Sequence, residues 1–509
     1  MPTVPSRSPW TLIVVCAAIF MLTLDVTIVS VALAGIQGEL DASLPALQWV
    51  VDGYTLPLAG GLLSAAVLGD RIGRRRVFVV GLLVFTAASL GCALADTAGT
   101  LIAARAVQGG GAALLFGTAL PLLGAAYPVS AERARAIGAF GASYAAATAA
   151  GPLIGGVLVD GPGWRWIFLI NVPLGLLALL GCRQLSESRP ERAPRNDWVG
   201  AGLLSGGLLA LLLGLIRGNE EGWGSAMILG LFTASAVLLT AFVRWESRVT
   251  DPMLSLRLFT RPAFAGVALQ SFATAATLVA ATYYLALHLQ NVAGFSPLET
   301  GLRVLPLTAS AFVAALVGAA LLRRIGTTPL LILGLVLAGV GLLGMGLIDT
   351  AASIAMLTPG FVLAGAGLGI GAAATASAGL AAVEPADAGM ATGTVNTMRQ
   401  IGTAAGVAGL GAILQSQAQR NAGPELDGLG PAVPKAQLIS EIGAGLGRNA
   451  GDYLPAGLRE PVASIAAAAT NDAVSTVFVI GGGAAIAAAV ACGFLLTRRR
   501  QARLVQLSK

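Results

Sequence analysis

The chain has 509 residues, 56% hydrophobic and 11% charged, with a mean hydropathy of +0.81 and a formal net charge of +6. Soluble domains carry roughly 25% charged residues, so this composition describes a polytopic membrane protein and excludes a sizeable soluble catalytic domain. The positive charge sits mostly in short links and in the tail, where it sets orientation, which removes nucleic acid from the expected partners.

Fourteen helices are expected, near 10–33, 48–69, 77–96, 99–122, 136–159, 166–183, 198–216, 224–243, 263–288, 300–322, 328–348, 353–378, 397–415 and 473–497. The first holds Asp25 and leads into further spans without a small-residue cleavage site, so it reads as a retained helix rather than a signal peptide. Asp25 lies slightly past its middle, where a charge costs about 2.5 to 3.5 kcal/mol on the insertion scale. Either Asp25 titrates and carries protons, or it pairs permanently with a basic residue. Thr23, Thr27 and Ser30 share one face of this helix and Asp25 points the opposite way, so one of the two faces is expected to pack on a neighbouring helix.

Asp52 falls about one turn inside the second helix, with Trp49 and Tyr54 suited to the membrane interface. It is a second candidate for proton or cation binding, or a solvated helix-end carboxylate. The link to the third helix reads G-D-R-I-G-R-R-R from Gly69 to Arg76, and its four arginines place it inside. Gly69 and Gly73 permit a sharp bend, and Asp70 can pair with a cation or a helix N-terminus.

Arg105, on the fourth helix, keeps its proton and so is a poor relay. With Gln108 on the same face it can hold a neighbouring Asp charged; the alternative is that it snorkels to the nearer surface. On the fifth helix Ala147, Gly151 and Gly155 form a small-residue stripe that lets another helix approach, and Pro152 frees the Thr148 carbonyl and favours a bend. Such stripes also serve plain packing. His288 reads as a wetted helix-end residue, and Glu299 and Arg303 are spaced to pair. Residues 415–472, rich in Gly, Pro and Ala, read as a partly helical, mobile outside loop. Cys16, Cys92, Cys182 and Cys492 lie in or beside apolar segments without metal spacing and are expected to be packing residues, so neither a metal nor a cofactor is expected.

With an even number of spans both termini share one side, and 23 of the 31 Lys and Arg fall inside against 7 outside, with Arg105 intramembrane, which makes that side the cytoplasm. Arg324-Ile325-Gly326 with Gly334 echoes Arg71-Ile72-Gly73 with Gly81, although Arg323 stands where Asp70 stands in the first copy.

G-D-R-I-G-R-R-R resembles the loop between helices two and three of the major facilitator superfamily, with Ala66 where that family usually has glycine. G-P-L-I-G-G at 151–156 resembles its antiporter motif, with Ala147 for the usual glycine. W-R-W-I-F-L-I-N-V-P at 164–173, S-P-L-E-T-G-L-R-V-L-P at 296–306 and M-R-Q-I-G-T-A-A-G at 398–406 are similar to the fourteen-helix drug:proton antiporter branch.

The resemblance implies an all-α major facilitator fold: a six-helix bundle over 1–185, two inserted helices over 186–250, and a second bundle over 251–509 with its long loop. It implies that Gly69, Asp70, Arg71, Gly73 and Arg74 latch the outward-facing state, that Arg105 serves proton coupling, and that Ala147, Gly151, Pro152, Gly155 and Gly156 seal or bend during exchange. The expected function is proton-driven export of lipophilic compounds, cationic ones among them, by a monomer in a bacterial inner membrane. The expected partners are the bilayer, protons and a small-molecule substrate. A uniporter or importer on the same scaffold is the rival. An integral-membrane enzyme is disfavoured by the single histidine and the absence of D-x-D or an evident nucleophile–base pair.

Overall fold

The computed structural model describes residues 9–42, 44–188, 197–249, 258–295, 297–346, 354–381, 388–429, 433–443, 450–451 and 454–507. Among these, regular structure is helical throughout. The N-terminal part contains α1 (Pro9–Leu40), α2 (Leu44–Ile72), α3 (Arg74–Ala93), α4 (Ala98–Ala126), α5 (Ser130–Asp160), α6 (Trp166–Leu169) and α7 (Asn171–Gly181). Then come α8 (Trp198–Glu221) and α9 (Ala226–Glu246). The C-terminal part contains α10 (Pro262–Thr274), joined through a π-helical stretch, Ala275–Val279, to α11 (Ala280–Asn291), then α12 (Pro297–Ile325), α13 (Thr327–Gly346), α14 (Ile354–Ala381), α15 (Ala388–Asp427), α16 (Lys435–Gly443) and α17 (Ala456–Leu507).

Eleven of these spans are long and apolar enough to cross a membrane, or thirteen if α2 and α5, bent by 53° and 42°, each count as one. The expected span at 397–415 lies in α15, which is not among them. Thr394, Asn396, Thr397, Arg399 and Gln400 make its first half polar, and it packs on α2, α8, α10 and α17 rather than presenting an apolar surface all round. The bend in α5 falls between Thr148 and Leu153, where the sequence places Pro152.

The sequence echo is a repeated piece of architecture. Gly73 (φ +115°) alone separates α2 from α3, and Gly326 (φ +79°) alone separates α12 from α13; both turns use a backbone region that side chains rarely adopt. Eight residues on, a Cβ at Gly81 would lie 3.0 Å from the Gly111 carbonyl oxygen on α4, and one at Gly334 would lie 3.0 Å from that of Gly367 on α14. Each glycine therefore sets a close helix crossing in its own half.

Separate apolar cores fill the two parts. One set gathers Val15, Ile19, Phe78, Phe85, Leu115 and Trp164 from α1 to the α5–α6 link; the other gathers Leu285, Leu335, Phe361, Phe478 and their neighbours from α10 to α17. They meet through two smaller clusters. Val67 of α2 packs with Leu204 and Leu208 of α8, Phe242 of α9, Phe264 of α10 and Ala391 of α15, near the arginine-rich end of α2. Farther along, Leu56 and Ala59 of α2 and Leu212 of α8 meet Ile401 and Ala404 of α15.

Two expectations need correction here. The stretch 415–472 is partly helical as expected but packed rather than loose over its described residues: α15 runs on to Asp427, α16 follows, and Leu426, Leu438, Ile442, Leu454 and Val462 are buried in a core continuous with Leu414 and Phe478. Leu438 and Ile442 are spaced one helical turn apart, a pattern hidden by the surrounding Gly and Pro. His288 is buried rather than wetted, its Nδ1 without a hydrogen-bond partner. Cys92, Cys182 and Cys492 are buried, Cys16 is half-buried, and all four thiols are free. Arg303 reaches the Glu299 backbone carbonyl (3.2 Å) and lies over the Phe295 ring, 3.6 Å from its centroid.

Candidate functional site

Six of the first seven helices converge on Asp25. Its carboxylate is fully buried and forms an ion pair with Arg105, whose Nη1 donates to Oδ2 at 2.6 Å; the side-chain exposures are 0% and 2%. Gln108, one turn on from Arg105, donates from Nε2 to Asp25 Oδ1 (2.9 Å) and to Ser89 Oγ on α3 (2.7 Å). Its own Oε1 accepts from Arg105 Nη1 (2.7 Å). Asn171, the first residue of α7, donates from Nδ2 to Asp25 Oδ1 (2.9 Å). Arg105 Nε donates to the Val50 carbonyl of α2 (3.1 Å), and the guanidinium lies over Tyr54, 4.2 Å from the ring centroid, with the Phe168 ring of α6 at 5.7 Å.

Arg105 therefore does not snorkel. It is held from several directions, which offsets the cost of taking a charge pair out of water. Sequence reasoning anticipated Arg105 and Gln108 holding an Asp, but it missed Ser89 and Asn171. A lone Ser or Asn in an apolar helix carries no periodic signal, although Asn171 does fall inside the W-R-W-I-F-L-I-N-V-P stretch. Tyr54, expected at the interface, is instead buried against Arg105, and its hydroxyl has no hydrogen-bond partner. Asn171 Oδ1 is likewise a buried acceptor without a partner.

The opposite face of α1 packs on α5. A Cβ at Gly151 would fall 2.0 Å from Thr27 Oγ1, so only glycine lets the two helices come this close. Ala147 and Gly155 are also buried, whereas a Cβ at Gly156 would meet open space. The Thr27 face is thus the packing face, and Asp25 points into the polar cluster.

Asp52 is apart from that cluster. Its carboxylate lies 3.9 Å from Arg217 Nη2 on α8, with side-chain exposures of 14% and 7%, and the Arg217 guanidinium lies over Trp49 at 4.8 Å. The partner was not foreseen, because Arg217 sits 165 positions away in the inserted pair.

At the basic turn Asp70 pairs with Arg74, whose Nε donates to Oδ1 at 2.7 Å, both side chains being buried. Arg74 Nη1 also reaches the Pro121 carbonyl of α4 (3.4 Å). Gly69 is pressed on Thr118, and Gly73 faces Glu187, where a Cβ would lie 2.6 Å from each of Thr118 Cγ2 and Glu187 Cδ. Glu187 accepts from the Arg75 amide (3.1 Å). Arg71 turns the other way, into the field of Asp197, just before α8, and Glu246, the last residue of α9. Asp197 also accepts from Trp245 Nε1 (2.8 Å). The turn is thereby tied to α4 through Arg74 and to the inserted pair through Arg71.

Among the described residues no group of His, Cys, Asp and Glu could hold a metal ion. The arrangement offers one carboxylate whose charge is balanced by a permanent cation, held between several helices.

Comparison with known proteins places the chain. Residues 15–407 match the Major Facilitator Superfamily. The chain is 37% identical over 414 residues to the tetracenomycin C resistance and export protein of Streptomyces glaucescens, covering 80% of this chain and 76% of that protein. It is 38% identical over 438 residues to the multidrug resistance protein Stp of Mycobacterium tuberculosis, covering 85% and 80%. In fold it resembles the human organic anion transporter MFSD10, with a TM-score of 0.60 at 16% identity over 95% of this chain and 100% of that one. It also resembles the proton:xylose symporter XylE, with a TM-score of 0.56 at 14% identity over 94% of each. The chain belongs to the major facilitator superfamily and is a multi-pass membrane transporter of the drug-efflux kind, similar to drug resistance and export proteins.

Proposed function

We propose that this transporter exports lipophilic compounds in exchange for protons by alternating access, with Asp25 as the proton carrier. The observation that carries the reading is the buried Asp25–Arg105 pair and its neutral hydrogen-bond partners. Deprotonated Asp25 accepts from Arg105, Gln108 and Asn171 and holds α1, α4 and α7 together. Protonation removes its charge and weakens the Arg105 bond, while the new O–H needs an acceptor, for which Asn171 Oδ1 stands ready once the amide turns. Arg105 is a permanent cation and remains in place to re-form the pair when Asp25 gives up its proton.

The close α1–α5 contact at Gly151 and the bend of α5 support a reading in which these helices move during exchange. The Asp70–Arg74 turn acts as the latch at the cytoplasmic end, with both termini on that side of a bacterial inner membrane. The chain works as a monomer of two six-helix bundles, 1–185 and 251–509, with 186–250 inserted between them. Asp52, paired with Arg217, tethers the inserted helices to α2. One charge moved across 100 mV is worth about 2.3 kcal/mol, enough for a roughly fiftyfold gradient. In sealed proteoliposomes with an internal pH dye, adding substrate should release protons from a preformed gradient; substrate movement indifferent to that gradient would make the protein a uniporter.

A further inference from the structure

The interior charges described above are matched: Arg105 with Asp25, Arg74 with Asp70, Arg217 with Asp52. Arg399 is different. It lies on α15 about 16 Å along the axis from Ala388, close to Ile401, which packs between the two halves. Its guanidinium reaches from the C-terminal half onto two rings of the N-terminal half, Phe116 of α4 at 5.2 Å and Tyr144 of α5 at 5.5 Å from the centroids. Phe116 in turn meets Phe140 edge to face at 6.2 Å.

Among the described residues nothing anionic answers this charge. Arg399 Nε is buried with no hydrogen-bond acceptor, and Arg399 has no carboxylate partner among the described residues. The spans Pro262–Gln290, Leu302–Leu322, Thr327–Gly346 and Met356–Thr375 contain no Asp or Glu. Among the described residues, the polar side chains that α10 and α14 bury in the C-terminal core are neutral: Gln270 bonds to both Thr274 and Thr375, and Ser271 donates to the Val395 carbonyl (3.1 Å). A permanent cation covered by two aromatic rings where the halves meet repels a lipophilic cation. It attracts a flat lipophilic acid, whose ring replaces Phe116 or Tyr144 on the guanidinium face while its acid group takes the N–H fork.

We infer that Arg399, with Phe116 and Tyr144, forms the anchoring site for aromatic substrates that carry a carboxylate or phenolate. The inference rests on the exporter reading for the direction of transport, though not for binding. It narrows the expected substrates from lipophilic compounds in general to planar acids.

The test uses the full chain in nanodiscs and three fluorescent probes of one shape: anthracene carboxylate, anthracene methanol and aminomethyl anthracene. Wild type should bind the carboxylate at least about tenfold more tightly than the other two. Arg399→Gln should lose that tenfold for the carboxylate alone and leave the alcohol within about twofold, while Arg399→Lys should retain part of the preference. A wild-type preference for the ammonium probe, no binding of any probe, or an equal loss of all three in Arg399→Gln would each overturn the site. The wild-type order stands even if the Gln variant fails to fold. Flux of the same probes in proteoliposomes separates the two readings: ordered binding without proton-coupled flux removes the exporter and keeps the site.

Discussion

The crossing of α3 with α4 and the crossing of α13 with α14 share one geometry and differ in chemistry. Gly81 lies against Gly111 as Gly334 lies against Gly367, and the residues four positions on, Phe85 and Ala338, approach the facing glycine in both. Counting back three and six residues from that glycine gives Gln108 and Arg105 on α4 but Ala364 and Phe361 on α14, all four buried. The C-terminal crossing is complete with an alanine and a phenylalanine. The scaffold therefore does not need a buried ion pair at this position, which supports the proposal that Arg105 and Asp25 serve a task other than packing.

That contrast can be broken most sharply at Arg105. Arg105→Gln leaves Asp25 as a buried carboxylate without its cation, and removing one partner of such a pair costs about 3 to 5 kcal/mol. The variant should lose folded yield at neutral pH in thermal unfolding by size-exclusion chromatography. Phe361→Leu, at the matching C-terminal position, is expected to cost under about 1.5 kcal/mol by the same assay and to leave transport intact. A smaller effect is expected where α1 meets α5. Gly151→Val forces Thr27 aside, which should cost about 1 to 3 kcal/mol and slow export, measured as substrate efflux from loaded vesicles.

The two glycine turns give a graded comparison. Gly73→Ala and Gly326→Ala each strain a positive φ by about 1 kcal/mol, but only Gly73 also faces Glu187, so its variant should melt lower. The least effect belongs to Asp52→Asn. Its 3.9 Å contact with Arg217 is too long for a hydrogen bond and the amide keeps the side chain's shape, so stability should change less than at Arg105 and proton release should persist.

The fold was legible because hydropathy and basic links mark spans and their sides, and the Arg-Ile-Gly echo marks two related turns. Within the site, Asp25 and Arg105 stood out because a charge in an apolar helix has no cheap explanation, and Gln108 followed from its place one turn along. Ser89, Asn171 and Tyr54 did not stand out: neutral polar residues are common in such helices, and only their meeting in space gives them meaning. Whether Thr27 or Asp25 faced the interior also needed the partner helix, because one helix's periodicity defines its faces and not what covers them. The long stretch after residue 415 is partly helical as expected, but its glycines and prolines suggested a loose loop, whereas Leu438 and Ile442 are buried and pack its described residues into the C-terminal core.

The most direct measurement of the central claim is proton release on substrate binding by purified wild type, Asp25→Asn and Phe361→Leu in weakly buffered detergent solution, followed with a pH dye. If the coupling resides in the N-terminal cluster, wild type and Phe361→Leu release protons on binding and Asp25→Asn binds substrate without releasing any. Equal release from Asp25→Asn and wild type would contradict the account and place the proton elsewhere.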